Sequence, residues 1–214
     1  MTTIVIAGGH GKIALRLARV LSARGDTVRS LIRNPGHEAG VHAAGADAVL
    51  ADMEKLDDLS EFVDGADAVV FAAGAGPGSG PERKRSVDLG GAVKLLEAAR
   101  RTGARRYLMV SSMGAANPAG GSEAMRPYLE AKGEADAALS ASDLDWTIVR
   151  PGGFTDDPGT GMVDLAASLG RRGSITRDDV AAVLAACLDE PRTVHATFEL
   201  LQGATPIPQA LASL

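Results

Sequence analysis

The chain has one cysteine, Cys187, in 214 residues, so it can form no intramolecular disulfide and no Cys-x-x-Cys metal site. That cysteine lies in an Ala-rich helical pattern, which predicts a small buried residue. The histidines His10, His37, His42 and His195 show no metal-ligand spacing, and no metal centre is predicted. Aromatic residues make up only 3% of the chain, so its core has to be built from Ala, Val, Leu and Ile. Positive charge is not in excess: 22 Lys and Arg against 27 Asp and Glu give a net charge of −5 with the signs interspersed. This argues against nucleic acid as a partner. The basic clusters Arg83-Lys84-Arg85, Arg100-Arg101 and Arg105-Arg106 are short, lie beside acidic residues and read as solvated helix ends and turns. No basic leader, signal-like stretch or membrane-length apolar run is present, which predicts a soluble, cytoplasmic protein with no membrane partner.

What the sequence does hold is concentrated at its start. A β-branched apolar run, Thr3-Ile4-Val5-Ile6-Ala7, stops at Gly8-Gly9-His10-Gly11-Lys12-Ile13-Ala14, and an apolar period of helical spacing follows at once. Strand, glycine turn and helix are the context in which a glycine motif becomes a phosphate site. Gly8 would end the strand in a turn tighter than an L-residue prefers. Gly11 would let the backbone approach a pyrophosphate, which the free N–H groups of the helix start, among Lys12 and Ile13, would hold. Ala14 would let the helix pack closely on the strand. Lys12 either adds charge toward the phosphates or is a solvated lysine.

Hydrophobic residues are 45% of the chain, enough for one substantial domain over residues 1–214. Further strands are predicted at residues 28–33, 48–50, 67–73, 107–111, 146–150 and 197–201, the last as the final strand. Helices are predicted to about residue 24, then at 37–44, 57–63, from Pro81 to about 101, at 123–140, and through Cys187 from a capping box at Thr176 and Asp179. Apolar strands alternating with helices specify an α/β fold, a Rossmann-type doubly wound parallel sheet with helices on both faces. The Gly/Pro/Ser-rich loop 74–81 reads as a mobile flap at the carboxyl ends of the strands. Residues 154–176 read as a small C-terminal substrate-side excursion.

Nicotinamide cofactors are told apart at the end of the second strand, where an acidic residue would bind the ribose 2′-hydroxyl. The sequence offers Arg33 there instead, a planar partner for phosphate, and NADP(H) is expected to be preferred over NAD(H). Asp52, with Met53 beside it, closes the third strand where an adenine would rest; its carboxylate would accept from the exocyclic amine, or else cap a helix. Ser111 and Ser112 follow the fifth strand, the first expected to contact cofactor and the second to face substrate. Tyr128 and Lys132 are spaced i, i+4 and so share a helix face. An ammonium beside a phenol favours the phenolate and suits it to proton exchange with a carbonyl or hydroxyl.

Taken together, these residues resemble the atypical short-chain dehydrogenase/reductase family, in particular its small NAD(P)H-binding, NmrA-like and flavin/biliverdin-reductase-like members. The likeness rests on the glycine turn, Arg33, Asp52, Phe71-Ala72-Ala73-Gly74, Ser111-Ser112, Tyr128 with Lys132, and Val149-Arg150-Pro151-Gly152. It implies an NAD(P) cofactor, Ala72, Ala73 and Gly74 passing beneath it, and Pro151 and Gly152 shaping the nicotinamide pocket. It also implies Ser112, Tyr128 and Lys132 as a catalytic set, with Lys132 on the nicotinamide ribose. The turn departs from the family's usual Gly-Ala-Thr-Gly in carrying His10, which need only donate a hydrogen bond to the cofactor or lie in solvent. The expected activity is an NADP(H)-dependent oxidoreductase acting on a small carbonyl, quinone or flavin-like acceptor, as a monomer or homodimer. The alternatives are an NADP(H)-binding sensor without turnover and a sugar-nucleotide epimerase or dehydratase, the latter disfavoured by the short C-terminal half.

Overall fold

The computed structural model describes residues 1–76 and 78–214; Pro77, within the predicted flap 74–81, lies outside them. The chain runs β1 (Thr3–Ala7), α1 (Lys12–Ala23), β2 (Thr27–Ile32), α2 (Glu38–His42), β3 (Asp47–Leu50), α3 (Ser60–Val63) and β4 (Ala68–Phe71). It continues with α4 (Pro81–Lys84), α5 (Ala92–Thr102), β5 (Arg106–Val110), α6 (Arg126–Ser140) and β6 (Asp145–Pro151). The last part holds β7 (Gly153–Thr155), β8 (Met162–Ala166), β9 (Ser174–Thr176), α7 (Arg177–Asp189), β10 (Ala196–Gln202), β11 (Thr205–Pro206) and α8 (Ile207–Leu211). No helix among the described residues is long and apolar enough to cross a membrane.

Nine of these strands form one sheet in the order β11-β8-β10-β6-β5-β4-β1-β2-β3. The run from β3 to β10 is parallel throughout, and β8 and β11 are added antiparallel at one end. This is the expected doubly wound sheet. One face is covered by α1, α2, α7 and α8, the other by α3, α5 and α6, and the central strands are buried on both sides. Ile4, Val5, Ile6, Val69 and Val70 are fully inaccessible, which is why their segments read as unbroken apolar runs rather than alternating ones. Chain order reverses between β1 and β4, and an open α/β sheet has its ligand crevice at such a point, outside the carboxyl ends of the strands.

Three elements differ from the sequence expectation. β10 is not the last strand, because β11 and α8 follow it. The excursion is less separate than predicted: β7 and β9 pair as a small parallel sheet, while β8 joins the main sheet against β10. Residues 162–166 alternate only weakly because β8 is half-covered, which hid a strand in the sequence. The helix beginning at Pro81 widens to π-helical hydrogen bonding over Arg85–Gly91 before α5, and this turn places Asp88 fully inside the protein. The cap at Thr176 forms as expected: its hydroxyl accepts from the Asp179 amide at 3.0 Å.

Candidate cofactor cleft

The glycine turn is shaped by what surrounds it. Gly8 has φ +78°, and a Cβ there would lie 2.5 Å from the Ala73 Cα. A Cβ on Gly9 would lie 2.5 Å from that of Ser30, so the turn passes flush against both β2 and the segment after β4. Gly11 is the N-cap of α1, extended at φ −63° and ψ 151°, with no side chain capping the helix and no acidic residue in its first turn. The first N–H groups of α1 therefore face outward without an internal anion, which fits the helix for a phosphate.

Around this turn lies a cleft of about 240 Å³, lined by Gly8 to Gly11, Arg33, His37, Asp52 to Glu54, Ala72 to Gly74 and Arg83, among others. It spans the reversal point and holds the predicted cofactor residues Gly8, His10, Gly11, Arg33, Asp52, Met53, Ala72, Ala73 and Gly74. The His10 ring does not stand alone in solvent. It stacks on His37 with centroids 3.8 Å apart and planes 10° from parallel. Partial burial and the neighbouring His37 hold its pKa below the usual histidine value. Asp52 caps a local turn, with Oδ1 accepting from the Glu54 amide at 3.1 Å and Oδ2 3.5 Å from the Lys55 ammonium. The helix it was expected to cap begins later, at Ser60. A wider hollow of about 540 Å³ between α6, β6 and β10 carries no glycine turn.

The other predicted residues lie outside the lining of this cleft. Ile13 is packed in the core. Lys12 extends outward, and its ammonium pairs at 2.6 Å with Asp156, which also meets Arg16 at 3.3 Å and Arg177 at 3.0 Å. Asp156 follows β7, so the excursion is tied by charge to the start of α1. The hydrogen bond from Lys12 is the largest cause holding the Asp156 carboxyl below its usual range.

Ser111 is buried, and its hydroxyl donates to Asp136 Oδ2 at 2.8 Å, the same oxygen that accepts from Arg150 Nε at 2.9 Å. That internal bond takes the hydroxyl expected at the cofactor. Ser112 is half-buried, and among the described residues its hydroxyl donates only to the Met113 carbonyl, at 3.2 Å. Tyr128 is half-buried too, and among the described residues its hydroxyl makes no hydrogen bond. Pro151 ends β6, and Gly152 just after it is packed so closely that a Cβ would lie 2.4 Å from Leu201 Cδ2.

Lys132 is buried. Its side chain is 3% exposed, and its ammonium donates to the Val110 carbonyl at 3.0 Å and the Ala73 carbonyl at 3.4 Å. It pairs with Asp88 at 3.2 Å, and Asp88 Oδ2 accepts from the Ala75 amide at 3.2 Å. In this structure its ammonium is engaged internally, as a buried ammonium takes the nearest carboxylate and carbonyls. Asp88, Glu54, Arg83 and His37 were not singled out in the sequence. The signal for Asp88 was a lone acid within the apolar pattern before Leu95; Arg83 was hidden in a basic run read as solvated.

The comparisons agree with this geometry. A family model described as NAD(P)H-binding matches residues 8–191. The "Uncharacterized sugar epimerase YhfK" of Bacillus subtilis is 42% identical over 99% of each chain. Among solved structures, a "Putative NAD-dependent epimerase/dehydratase from Bacillus halodurans" superposes with TM-score 0.95 at 39% identity, covering both chains fully. The oxidoreductase ylbE from Lactococcus lactis follows with TM-score 0.86 at 27% identity, over 99% of this chain and 96% of that one. Glycine turn, sheet order and matched length lead to one assignment: the chain belongs to the NAD(P)H-binding family.

Proposed function

We propose that the protein is an NADP(H)-dependent oxidoreductase acting on a small carbonyl, quinone or flavin-like acceptor. The observation that carries this reading is the cleft itself, in which an uncapped helix start, a glycine turn and Arg33 share one surface. The helix start and turn suit a pyrophosphate, and Arg33 suits a ribose 2′-phosphate. Bound there, the dinucleotide supplies or accepts the hydride. Ala72 to Gly74 form the floor beneath it, and Lys132 with Asp88 holds that floor from below. Tyr128, its hydroxyl uncommitted, exchanges the proton with the substrate oxygen, and Ser112 orients that oxygen.

A panel of aldehydes, quinones and flavins, followed by NADPH oxidation beside cofactor calorimetry, tests the reading. Oxidation with at least one class supports it. Tight NADPH binding with no oxidation across the panel replaces it by a cofactor sensor. The names of two relatives keep one further reading in view, and sugar nucleotides belong in the same panel. An epimerase would interconvert them without net consumption of cofactor.

A further inference from the structure

Glu54 occupies the cleft in an unusual way. Its Oε2 accepts from Arg33 Nη1 at 3.2 Å and from Arg83 Nη2 at 3.1 Å, and its Oε1 accepts from the Ser86 hydroxyl at 2.8 Å. Arg33 follows β2, whereas Arg83 lies on α4, beyond the glycine-rich loop. Two guanidiniums from separate segments thus meet on a single carboxylate oxygen, and all three residues line the cleft. Like charges this close repel, so the carboxylate is what keeps the two cations together.

A guanidinium fork recognises carboxylate and phosphate through the same planar geometry. A phosphate monoester offers three oxygens and about −1.5 to −2 charges near neutral pH, more than one carboxylate. We propose that Arg83 is the second half of a clamp for the 2′-phosphate of the cofactor. Glu54 is an internal stand-in for that phosphate: it holds the clamp assembled and yields both arginines when the phosphate enters. This rests on the NADP(H) reading and deepens it. A dinucleotide without the phosphate leaves Glu54 in place, so Glu54 opposes only the phosphorylated cofactor. Ser86, one turn after Arg83 and bonded to the other carboxylate oxygen, steadies Glu54 where it competes.

Calorimetry with NADPH, NADH, 2′,5′-ADP and 5′-AMP on the wild type, Arg33→Ala, Arg83→Gln, Glu54→Gln and the Arg83→Gln/Glu54→Gln pair separates the possibilities. Glu54→Gln is expected to tighten NADPH and 2′,5′-ADP by about two- to five-fold, the range set by an exposed ion pair, with NADH and 5′-AMP unchanged. Arg83→Gln is expected to weaken the two phosphorylated ligands roughly ten- to hundred-fold, and the gain from Glu54→Gln should shrink in the double variant. If Arg83→Gln leaves NADPH affinity intact while Arg33→Ala lowers it, Arg83 is outside the clamp; the proposal falls and the cofactor reading stands. If Glu54→Gln instead weakens NADH, Glu54 is an acceptor for ribose hydroxyls and the proposal is overturned. Equal wild-type affinities for NADPH and NADH, indifferent to Arg33→Ala, would remove the cofactor reading itself.

Discussion

Lys132 and Asp88 stand 3.2 Å apart inside the protein and hold the backbone on the two sides of Gly74. The lysine takes the carbonyl before it, on Ala73, and the aspartate takes the amide after it, on Ala75. The floor of the candidate cofactor cleft is therefore fastened by an ion pair contributed by α6 and the π-helical turn. Among the described residues Asp88 Oδ1 accepts no hydrogen bond, and the Lys132 ammonium at 3.2 Å compensates its charge.

Breaking this pair by Lys132→Met or Asp88→Leu should destabilise the fold by about 3–5 kcal/mol, because one buried charge is left uncompensated. The double variant should recover much of that loss. Denaturant unfolding of the three variants measures it. Additive losses in the double variant would show that the two groups do not act as a pair.

Tyr128→Phe removes the proposed proton donor without changing packing volume much. Turnover with a carbonyl substrate should fall roughly 10²–10⁴-fold, with NADPH affinity retained. Undiminished turnover would instead indicate direct hydride transfer needing no protein acid.

Gly8 and Gly25 both have positive φ, +78° and +90°, but only Gly8 has neighbours within reach of a Cβ. Gly25→Ala should cost about 1–2 kcal/mol, the penalty of the left-handed conformation alone. Gly8→Ala adds a 2.5 Å collision with the Ala73 backbone and should cost more, along with cofactor affinity. Thermal melts and NADPH titrations of the two variants compare them directly; equal losses would mean the turn is not closely packed.

Burial raises the Asp136 pKa above the usual carboxylate value despite its bonds from Ser111 and Arg150. Between the unfolded and folded values the native state therefore binds more protons than the unfolded chain. Stability should fall as pH rises through that window, because ionising Asp136 costs more inside the protein than outside. Asp136→Asn should flatten this part of the stability–pH curve. Chemical denaturation across the acidic range would show it, and an unchanged slope would assign the titration to other carboxylates.

Much of this fold was legible because its signals are local. The glycine turn, the apolar strands and the cap at Thr176 each depend on neighbours in sequence, and together they specify the doubly wound order. Arg33 was legible for the same reason, since its place after β2 follows from strand and turn alone. The destination of Lys132 was not. Its spacing from Tyr128 gives a shared helix face, but Asp88 and the Ala73 carbonyl reach it only through tertiary packing. The meeting of Arg33, Glu54 and Arg83 likewise joins segments that share no periodicity. β8 escaped notice because, half-covered and set between β10 and the two-residue β11, it lacks the continuous apolar run that marked the central strands.

The two ends of the sheet have a bearing on how the protein behaves at high concentration. β3 has four residues and β11 only two, one of them Pro206. Each end thus exposes a short row of backbone donors and acceptors, and at β11 proline removes one donor altogether. Strand-to-strand growth into fibres or swapped assemblies finds little to template on at either edge. Short edges of this kind are one way in which a wide apolar sheet limits strand-to-strand growth.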